Sequence, residues 1–285
     1  MKKLFSIVLA ALMVAALFAG CGSPTAETKA TETTAAPAPA TEAAAPAETE
    51  APAETEAAAT FTTIEAGKLI MSTNAAFPPY EMVADDGSFE GIDVEVAGAI
   101  AAKLGLELVV DDMDFDAALL AVQQGKSDIV MAGVTVNEDR KMVMNFSDTY
   151  SKGVQVVIVK EGSDVTLDNL GDQMIGTQRG TTGYIYTSGD YGEDHVTAYD
   201  NGASAVQALM NGQVDCVVID SAPAEAFVEA NPGLTILDTE YTSEDYAIGM
   251  SKDNTALLDA VNAALAELTA DGTIPAIVEK YIPTK

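Results

Sequence analysis

The segment Ala118-Leu-Leu-Ala-Val-Gln-Gln-Gly-Lys-Ser-Asp-Ile-Val130 holds an apolar helical pattern, a glycine and then an apolar strand pattern. A second segment, Ala205-Val-Gln-Ala-Leu-Met-Asn-Gly-Gln-Val-Asp-Cys-Val217, has the same frame. In each segment a glycine ends the helix and an aspartate follows three residues later, as Gly125 and Asp128 in the first and Gly212 and Asp215 in the second. The chain therefore builds one helix-to-strand unit twice, which predicts an α/β fold.

Strand and helix patterns alternate through residues 61–285. The predicted strands are Lys68–Thr73, Leu106–Val110, Asp128–Met131, Val154–Val159, Gln173–Gln178, Val214–Ile219 and Tyr246–Met250. The predicted helices are Gly91–Leu104, Asp116–Gln124, Thr166–Leu170, Thr255–Leu268 and Ile274–Tyr281. This alternation predicts largely parallel pairing, and in open α/β sheets ligands bind outside the carboxyl ends of the strands.

The two repeated strands lead into different side chains. The first leads through Ala132 and Gly133 to Thr135 and Arg140, and the second leads to Asp220. If these two strand ends face each other, they form a cleft with a cation on one wall and an anion on the other. Such a cleft is complementary to a zwitterion.

Arg140 is one of only two arginines in 285 residues. It follows Asn137, which is placed to cap a short helical turn. A guanidinium at a strand end can bind a carboxylate through two parallel hydrogen bonds. The alternative is that Arg140 pairs with one of the many surface acids.

Two loops add polar and aromatic groups. Asn74-Ala-Ala-Phe-Pro-Pro-Tyr80 contains adjacent prolines, which stiffen a loop that presents Phe77 and Tyr80. Arg179-Gly-Thr-Thr-Gly-Tyr184 joins a strand to a helix, so it is either an anion cradle or an ordinary turn. It lacks the lysine of a P-loop and the glycine spacing of a dinucleotide site, which argues against nucleotides.

Composition limits the partners and the chemistry. The formal net charge is −30, which excludes a general binder of nucleic acid or anionic lipid. Cys21 and Cys216 are the only cysteines, and Cys216 lies in an apolar strand pattern that predicts burial. With only these two cysteines we expect no disulfide framework. With a single histidine, His195, we expect no metal site and no histidine-based catalytic triad, and we expect no cofactor.

The first 60 residues predict export and a tether. Met1-Lys-Lys and the 15-residue apolar run Leu4–Phe18 are typical of a secretory signal peptide, which we place at 1–20. Ala19-Gly20-Cys21 resembles a lipoprotein processing site with Cys21 as the lipidated residue; simple secretion is the alternative. After Cys21, residues up to 60 are almost wholly Ala, Thr, Pro and Glu, which predicts a disordered tether over 21–60.

The motifs after this tether resemble, in order, those of family 3 of the bacterial extracellular solute-binding proteins, the receptors of polar amino-acid ABC importers, of the glutamine-binding type. The resemblance covers 61–285 and rests on Phe77-Pro-Pro-Tyr80, Gly91-Ile-Asp93, Asp112-Met-Asp-Phe115, Ala132-Gly-Val-Thr135, Glu138-Asp-Arg140, Asn145-Phe-Ser-Asp148, Gly180-Thr181, Asp215, Asp220 and Ala270-Asp-Gly-Thr273. It implies a two-lobe, periplasmic-binding-protein-like (type II) α/β fold with two crossover hinge strands. Lobe 1 would be 61–150 and 247–285, and lobe 2 would be 151–246.

The resemblance also implies roles for individual residues. Arg140 would bind the α-carboxylate of an amino acid with Thr135 and Thr181, and Asp220 would bind the α-ammonium with the Gly133 carbonyl. Phe77 and Phe115 would sandwich the ligand side chain. Asn74, Gln178 and Thr182 would lie near its far end. The full predicted set is Asn74, Phe77, Tyr80, Phe115, Ala132, Gly133, Thr135, Arg140, Gln178, Thr181, Thr182 and Asp220.

The amides Asn74 and Gln178 stand where relatives that bind charged side chains carry aspartate or lysine. We therefore expect a polar, uncharged ligand side chain, as in glutamine or cystine. The expected function is a monomeric, lipid-anchored extracytoplasmic receptor that delivers an amino acid to an ABC permease, with no enzymatic activity. The alternative is a cyclohexadienyl dehydratase-like enzyme on the same fold, which would need a proton donor at the far end of the ligand.

Overall fold

A computed structural model describes residues 61–238 and 240–283, where the chain forms an α/β structure. Its strands are β1 (Lys68–Thr73), β2 (Ala76–Phe77), β3 (Glu81–Val83), β4 (Phe89–Glu90), β5 (Glu107–Asp112), β6 (Ile129–Val130), β7 (Met144–Lys160), β8 (Ile175–Gln178), β9 (Val196–Tyr199), β10 (Cys216–Asp220), β11 (Leu234–Ile236) and β12 (Thr242–Ser251). Its α-helices are α1 (Ile92–Lys103), α2 (Phe115–Gln123), α3 (Glu138–Val143), α4 (Thr182–Tyr191), α5 (Gly202–Met210), α6 (Ser221–Ala230), α7 (Thr255–Ala270) and α8 (Thr273–Tyr281). Short 3₁₀ helices cover Leu167–Asp172 and Glu193–His195.

The main sheet has the strand order β5-β1-β6-β12-β7-β10-β8-β9, with β11 beside β7. A small second sheet holds β2, β3 and β4. Pairing is parallel among β5, β1 and β6 and among β10, β8 and β9, as predicted. Pairing is antiparallel wherever β7 or β12 takes part, so the prediction of largely parallel pairing is wrong at the centre of the sheet.

The strands β7 and β12 connect the two parallel groups. β7 has 17 residues; its first part pairs with β12, and its last part also pairs with β10 and β11. The sequence predicted only Val154–Val159 of this strand, because Asp148–Gly153 is polar and gives no apolar signal. The predicted lobe boundaries, 150/151 and 246/247, fall inside these two strands.

The apolar core follows one face of α1. Ile92, Val96 and Ile100 have no exposed surface, and they pack in one cluster with Val261 and Leu265 of α7. Burial of these side chains fixes the helices against the sheet and so positions the loops at the strand ends. Cys216 is also fully buried, as its apolar context predicted.

The repeated unit holds each strand in place through its aspartate. Asp128 accepts hydrogen bonds from the backbone N–H groups of Ile64 and Ile70, both at 2.8 Å. Asp215 accepts one from the backbone N–H of Met174, also at 2.8 Å. In both repeats the carboxylate therefore ties its own strand to the start of a neighbouring one.

The predicted signal peptide, the lipidation site Cys21 and the tether over 21–60 lie outside the described residues. Across 61–238 and 240–283, none of the helices has the length and apolar character that a bilayer crossing requires.

The two repeats differ in how much stability their aspartates contribute. Asp128 is buried and bonds two N–H groups, whereas Asp215 is exposed and bonds one. We expect Asp128→Ala to lower the free energy of unfolding by about 3 kcal/mol, because it leaves two backbone donors without an acceptor. Asp215→Ala should cost less than half as much. Urea unfolding followed by circular dichroism measures both, and equal losses would contradict this account.

Candidate functional site

A cavity of about 430 Å³, counting the space open to solvent at its mouth, lies where the carboxyl ends of the strands meet. It is lined by Asn74, Phe77, Glu81, Phe115, Ala132, Gly133, Thr135, Arg140, Gln155, Gln178, Thr181, Thr182, Val218, Ile219 and Asp220. Eleven of the twelve residues predicted from sequence are in this set. The sequence missed Glu81, Gln155, Val218 and Ile219.

Arg140 forms one wall and is only 7% exposed. The Asn137 side chain accepts a hydrogen bond from the Arg140 backbone N–H at 2.8 Å, which confirms the predicted helix cap. The guanidinium donates from Nη1 to the Thr135 carbonyl (2.8 Å) and from Nη2 to the Gly180 carbonyl (3.1 Å). Among the described residues it forms no ion pair, so the alternative of a surface acid as partner is wrong. Burial lowers the pKa of Arg140, although it remains a cation.

Asp220 forms the opposite wall at the end of β10 and is 6% exposed. Its Oδ2 accepts a hydrogen bond from Gln155 Nε2 at 2.6 Å. Burial, and after it the nearby Glu244 carboxylate, raise the pKa of Asp220 to about 7. No cation of the described chain forms an ion pair with it. The cavity thus holds a buried cation and a buried acid that are not paired with each other.

Gly133 lies between these walls with φ +55°, a left-handed conformation that favours glycine. A Cβ at this position would lie 2.9 Å from Cε1 of Phe77, so glycine also allows the ring to approach. The Gly133 N–H donates to Asp93 Oδ2 at 2.9 Å, and Asp93 Oδ1 accepts from the Tyr150 hydroxyl at 2.7 Å. Burial raises the pKa of Asp93 to about 6, and burial together with Asp93 raises the pKa of Glu81 well above its usual range.

The aromatic residues are layered. Phe77 lines the cavity and stacks on Tyr80, with ring centroids 5.9 Å apart. Tyr80 is 1% exposed and contacts Tyr246 edge-on at 5.2 Å. Tyr80 therefore supports Phe77 from beneath and does not line the cavity, contrary to the prediction. Phe115 does line it, and the Arg140 guanidinium lies 5.3 Å from its ring centroid.

The two predicted amides contact each other across the cavity. Gln178 Nε2 donates to Asn74 Oδ1 at 2.9 Å, and Asn74 Nδ2 donates to the Met113 carbonyl at 3.0 Å. Thr182 is not part of this group. Its hydroxyl lies 3.4 Å from that of Thr135, so the structure places it beside the predicted carboxylate-binding end and corrects the prediction that it lies at the far end.

Thr181 caps α4, whose N-terminus faces the cavity. Its Oγ1 accepts from the Tyr184 N–H at 3.4 Å and donates to the Gln178 carbonyl at 2.8 Å. A ten-residue helix directs partial positive charge from its free N–H groups toward a ligand at this end. This favours the anion-cradle interpretation of residues 179–184 over the ordinary turn.

Comparison with known proteins gives concordant matches. The sequence model described as bacterial extracellular solute-binding proteins, family 3, matches residues 69–284. The L-cystine-binding protein TcyJ of Escherichia coli (strain K12) is 30% identical over 76% of this chain and 83% of its own length. The structure of a variant of ArgBP from T. maritima has a TM-score of 0.72 at 38% identity, over 76% of this chain and 96% of that one. An ancestral arginine-binding protein bound to glutamine has a TM-score of 0.73 at 38% identity, over 76% and 99%.

The buried acids of the cavity predict how stability depends on pH. Asp93 and Asp220 bind protons more tightly in the folded protein than in the unfolded chain, where an aspartate has a pKa near 3.9. Their contribution to stability is therefore fully present below about pH 4 and is lost as pH rises through about 6 and about 7. We expect the melting temperature of the ligand-free protein to rise as pH falls from 8 to 5.

Scanning calorimetry across this range measures the effect. Asp220→Asn should flatten the profile between about pH 6 and 7 and leave below pH 6 only the smaller slope that Asp93 contributes. A melting temperature that falls steadily from pH 8 to 5 would contradict the raised pKa values.

Proposed function

The chain belongs to family 3 of the bacterial extracellular solute-binding proteins, and from this membership we propose that it binds a free amino acid in the cavity and delivers it to an ABC importer. It has the two-lobe type II periplasmic-binding fold of its structural neighbours, in which β7 and β12 are the two crossover strands. In this proposal the two groups of parallel strands belong to the two lobes, and the cavity is the ligand site between them.

The observation that carries the proposal is a buried cation and a buried acid that are not paired with each other. Arg140 and Asp220 line one cavity, and neither forms an ion pair among the described residues. A buried charge without a counterion costs several kcal/mol. An α-amino acid supplies both counterions at once, with its carboxylate at Arg140, Thr135, Thr181 and the start of α4 and its ammonium at Asp220.

For the ligand side chain we propose a polar group without charge. The Asn74–Gln178 pair offers amide donors and acceptors and no charge at its end of the cavity. Relatives of comparable identity bind arginine, cystine or glutamine, so family membership does not select among these. The amide pair favours glutamine or cystine.

Binding, rather than catalysis, is the activity we propose. The relatives that match are binding proteins of ABC transporters. Among the described residues that line the cavity, the predicted far end holds two amides, which are poor proton donors for elimination chemistry.

We also propose that the protein acts as a monomer at the outer face of a bacterial membrane, held there by a lipid on Cys21 and a tether over 21–60. A flexible tether would let the folded part reach a permease without leaving the surface. The proposal predicts that Cys21→Ser releases the protein from the membrane fraction into the soluble extracytoplasmic fraction. Fractionation with immunoblotting measures this, and unchanged membrane association would contradict a lipid on Cys21.

A thermal-shift panel of the twenty amino acids plus cystine tests the ligand. Because a ligand that binds only the folded state raises its apparent stability, we expect glutamine or cystine to give the largest increase in melting temperature. Gln178→Glu, which places a carboxylate at the far end, should move the preference toward arginine. A larger shift with arginine in the wild type would reject the uncharged side chain and leave the receptor function intact.

Arg140→Ala tests the carboxylate site by calorimetric titration with the best amino acid of that panel. Loss of the guanidinium leaves the ligand carboxylate without its partner in a buried site, so binding should weaken by about 2 to 5 kcal/mol and fall below what the titration measures. Arg179→Ala, at the other arginine, is the matched control, because that side chain is exposed beside Asp200 and should leave affinity unchanged. Retained binding by Arg140→Ala would reject this site.

A further inference from the structure

Glu244 is a buried acid beside the cavity that the mechanism above does not use. It lies on β12 and is 6% exposed. Its Oε2 accepts hydrogen bonds from the Thr135 hydroxyl at 2.9 Å and from Gln155 Nε2 at 3.0 Å. The same Gln155 nitrogen donates to Asp220 Oδ2 at 2.6 Å. Two buried carboxylates therefore share one neutral amide donor.

The register of the sheet explains this arrangement. Gln155 of β7 is opposite Asp220 of β10 and opposite Thr242 of β12. Glu244 follows Thr242 by two residues and so lies on the same face. The residue opposite Glu244 on β7 is Gly153, where a Cβ would lie 2.2 Å from Asp220 Oδ1. Glycine at 153 thus leaves the space into which the Asp220 carboxylate extends.

The groups that face Glu244 and Asp220 from neighbouring elements do not neutralise these two acids. Arg140 of α3 is near enough to Glu244 to interact electrostatically, but not to form an ion pair. The Tyr186 hydroxyl of α4 faces Glu244, and the Tyr80 and Tyr246 hydroxyls face Asp220. Arg140 is the only cation found near the pair in the described part of the chain.

We propose that Glu244 is a positioning residue for ammonium recognition: it competes with Asp220 for the Gln155 N–H, whose hydrogen bond favours the Asp220 carboxylate, and with its own charge it keeps Asp220 protonated until a ligand ammonium replaces that proton. This inference rests on the proposed function, and it defines the ligand class further, as amines that carry a full positive charge. N-acylated amino acids and α-keto acids cannot displace the proton.

The step balances without a co-reactant. The Asp220 O–H bond breaks, its proton goes to buffer, and the resulting carboxylate accepts an N–H from the ligand ammonium. Burial and then Glu244 raise the pKa of Asp220 to about 7, so this proton is present below neutral pH. An amino-acid ammonium stays charged from pH 6 to 8, so affinity should fall about tenfold over that range as pH decreases.

Glu244→Gln keeps the shape of the side chain and removes its charge. With L-glutamine as titrant, or L-arginine where the panel selects it, we expect calorimetry to show an affinity loss of about twofold from pH 8 to 6, against about tenfold in the wild type, if the pKa of Asp220 falls by about one unit. At pH 6, buffers of different ionisation enthalpy should report nearly one proton released by the wild type and about half a proton by the variant.

Glu107→Gln is the charge-matched control, because Glu107 is exposed at the start of the edge strand β5. It should keep the wild-type profile. Asp93 and Glu81 titrate beside Gly133 in the wild type and in both variants, so their effect on the pH dependence of affinity is the same in all three proteins. The difference between the pH profiles therefore comes from Glu244. A purely structural role would weaken binding equally at both pH values.

Equal pH dependence in the wild type and Glu244→Gln would overturn the inference while leaving the receptor function standing. If no amino acid binds the wild type, the proposed function fails and the inference fails with it. If the variant does not fold, the wild-type buffer series still decides, because binding at pH 6 without proton release would overturn the proposal.

Discussion

A cation and an acid buried in one cavity, yet not paired with each other, place the strongest constraint on this structure. Each must be held by neutral dipoles, since leaving a buried polar or charged group without hydrogen bonds is costly. Two backbone carbonyls hold Arg140, and the Gln155 amide holds Asp220. One of those carbonyls belongs to Thr135, before α3, and the other to Gly180, before α4. The fold therefore places backbone dipoles from two separate loops around a cation that it does not neutralise.

The support for the site comes largely from the strands that connect the two halves of the sheet. Gln155 lies on β7 and Glu244 on β12, and Tyr246 of β12 lies under the Tyr80 ring, which in turn supports Phe77. Residues proposed to touch the ligand lie in loops at strand ends or in the terminal turns of the strands and helices that these loops join. The electrostatic environment of those residues is set by side chains of the connecting strands.

The sequence predicted the repeated helix-to-strand unit and the candidate site well, because both rest on local signals. An apolar run that ends at a glycine marks the unit, and the scarcity of arginine makes Arg140 stand out. The predictions for Tyr80 and Thr182 were wrong because the position of a side chain relative to the cavity depends on which residues pack against it, and sequence spacing does not show that packing. Gln155 carried a usable signal, as a single polar residue inside an apolar strand. Glu244 carried none, since Thr-Ser-Glu-Asp has the composition of a loop.

The hydrogen-bond ladder between β7 and β12 is irregular at one place, with register shifts between Tyr246 and Ala247 and between Ala247 and Gly249. There β12 bonds instead to the loop that leads to Arg140, through Val136 N–H to the Asp245 carbonyl (3.0 Å) and Ala247 N–H to the Val134 carbonyl (3.1 Å). A strand bends most readily where its ladder is interrupted. Bending β12 at this point would move the loop that leads to Arg140 with it, so a change in the angle between the two halves of the sheet would also change the position of the Arg140 guanidinium.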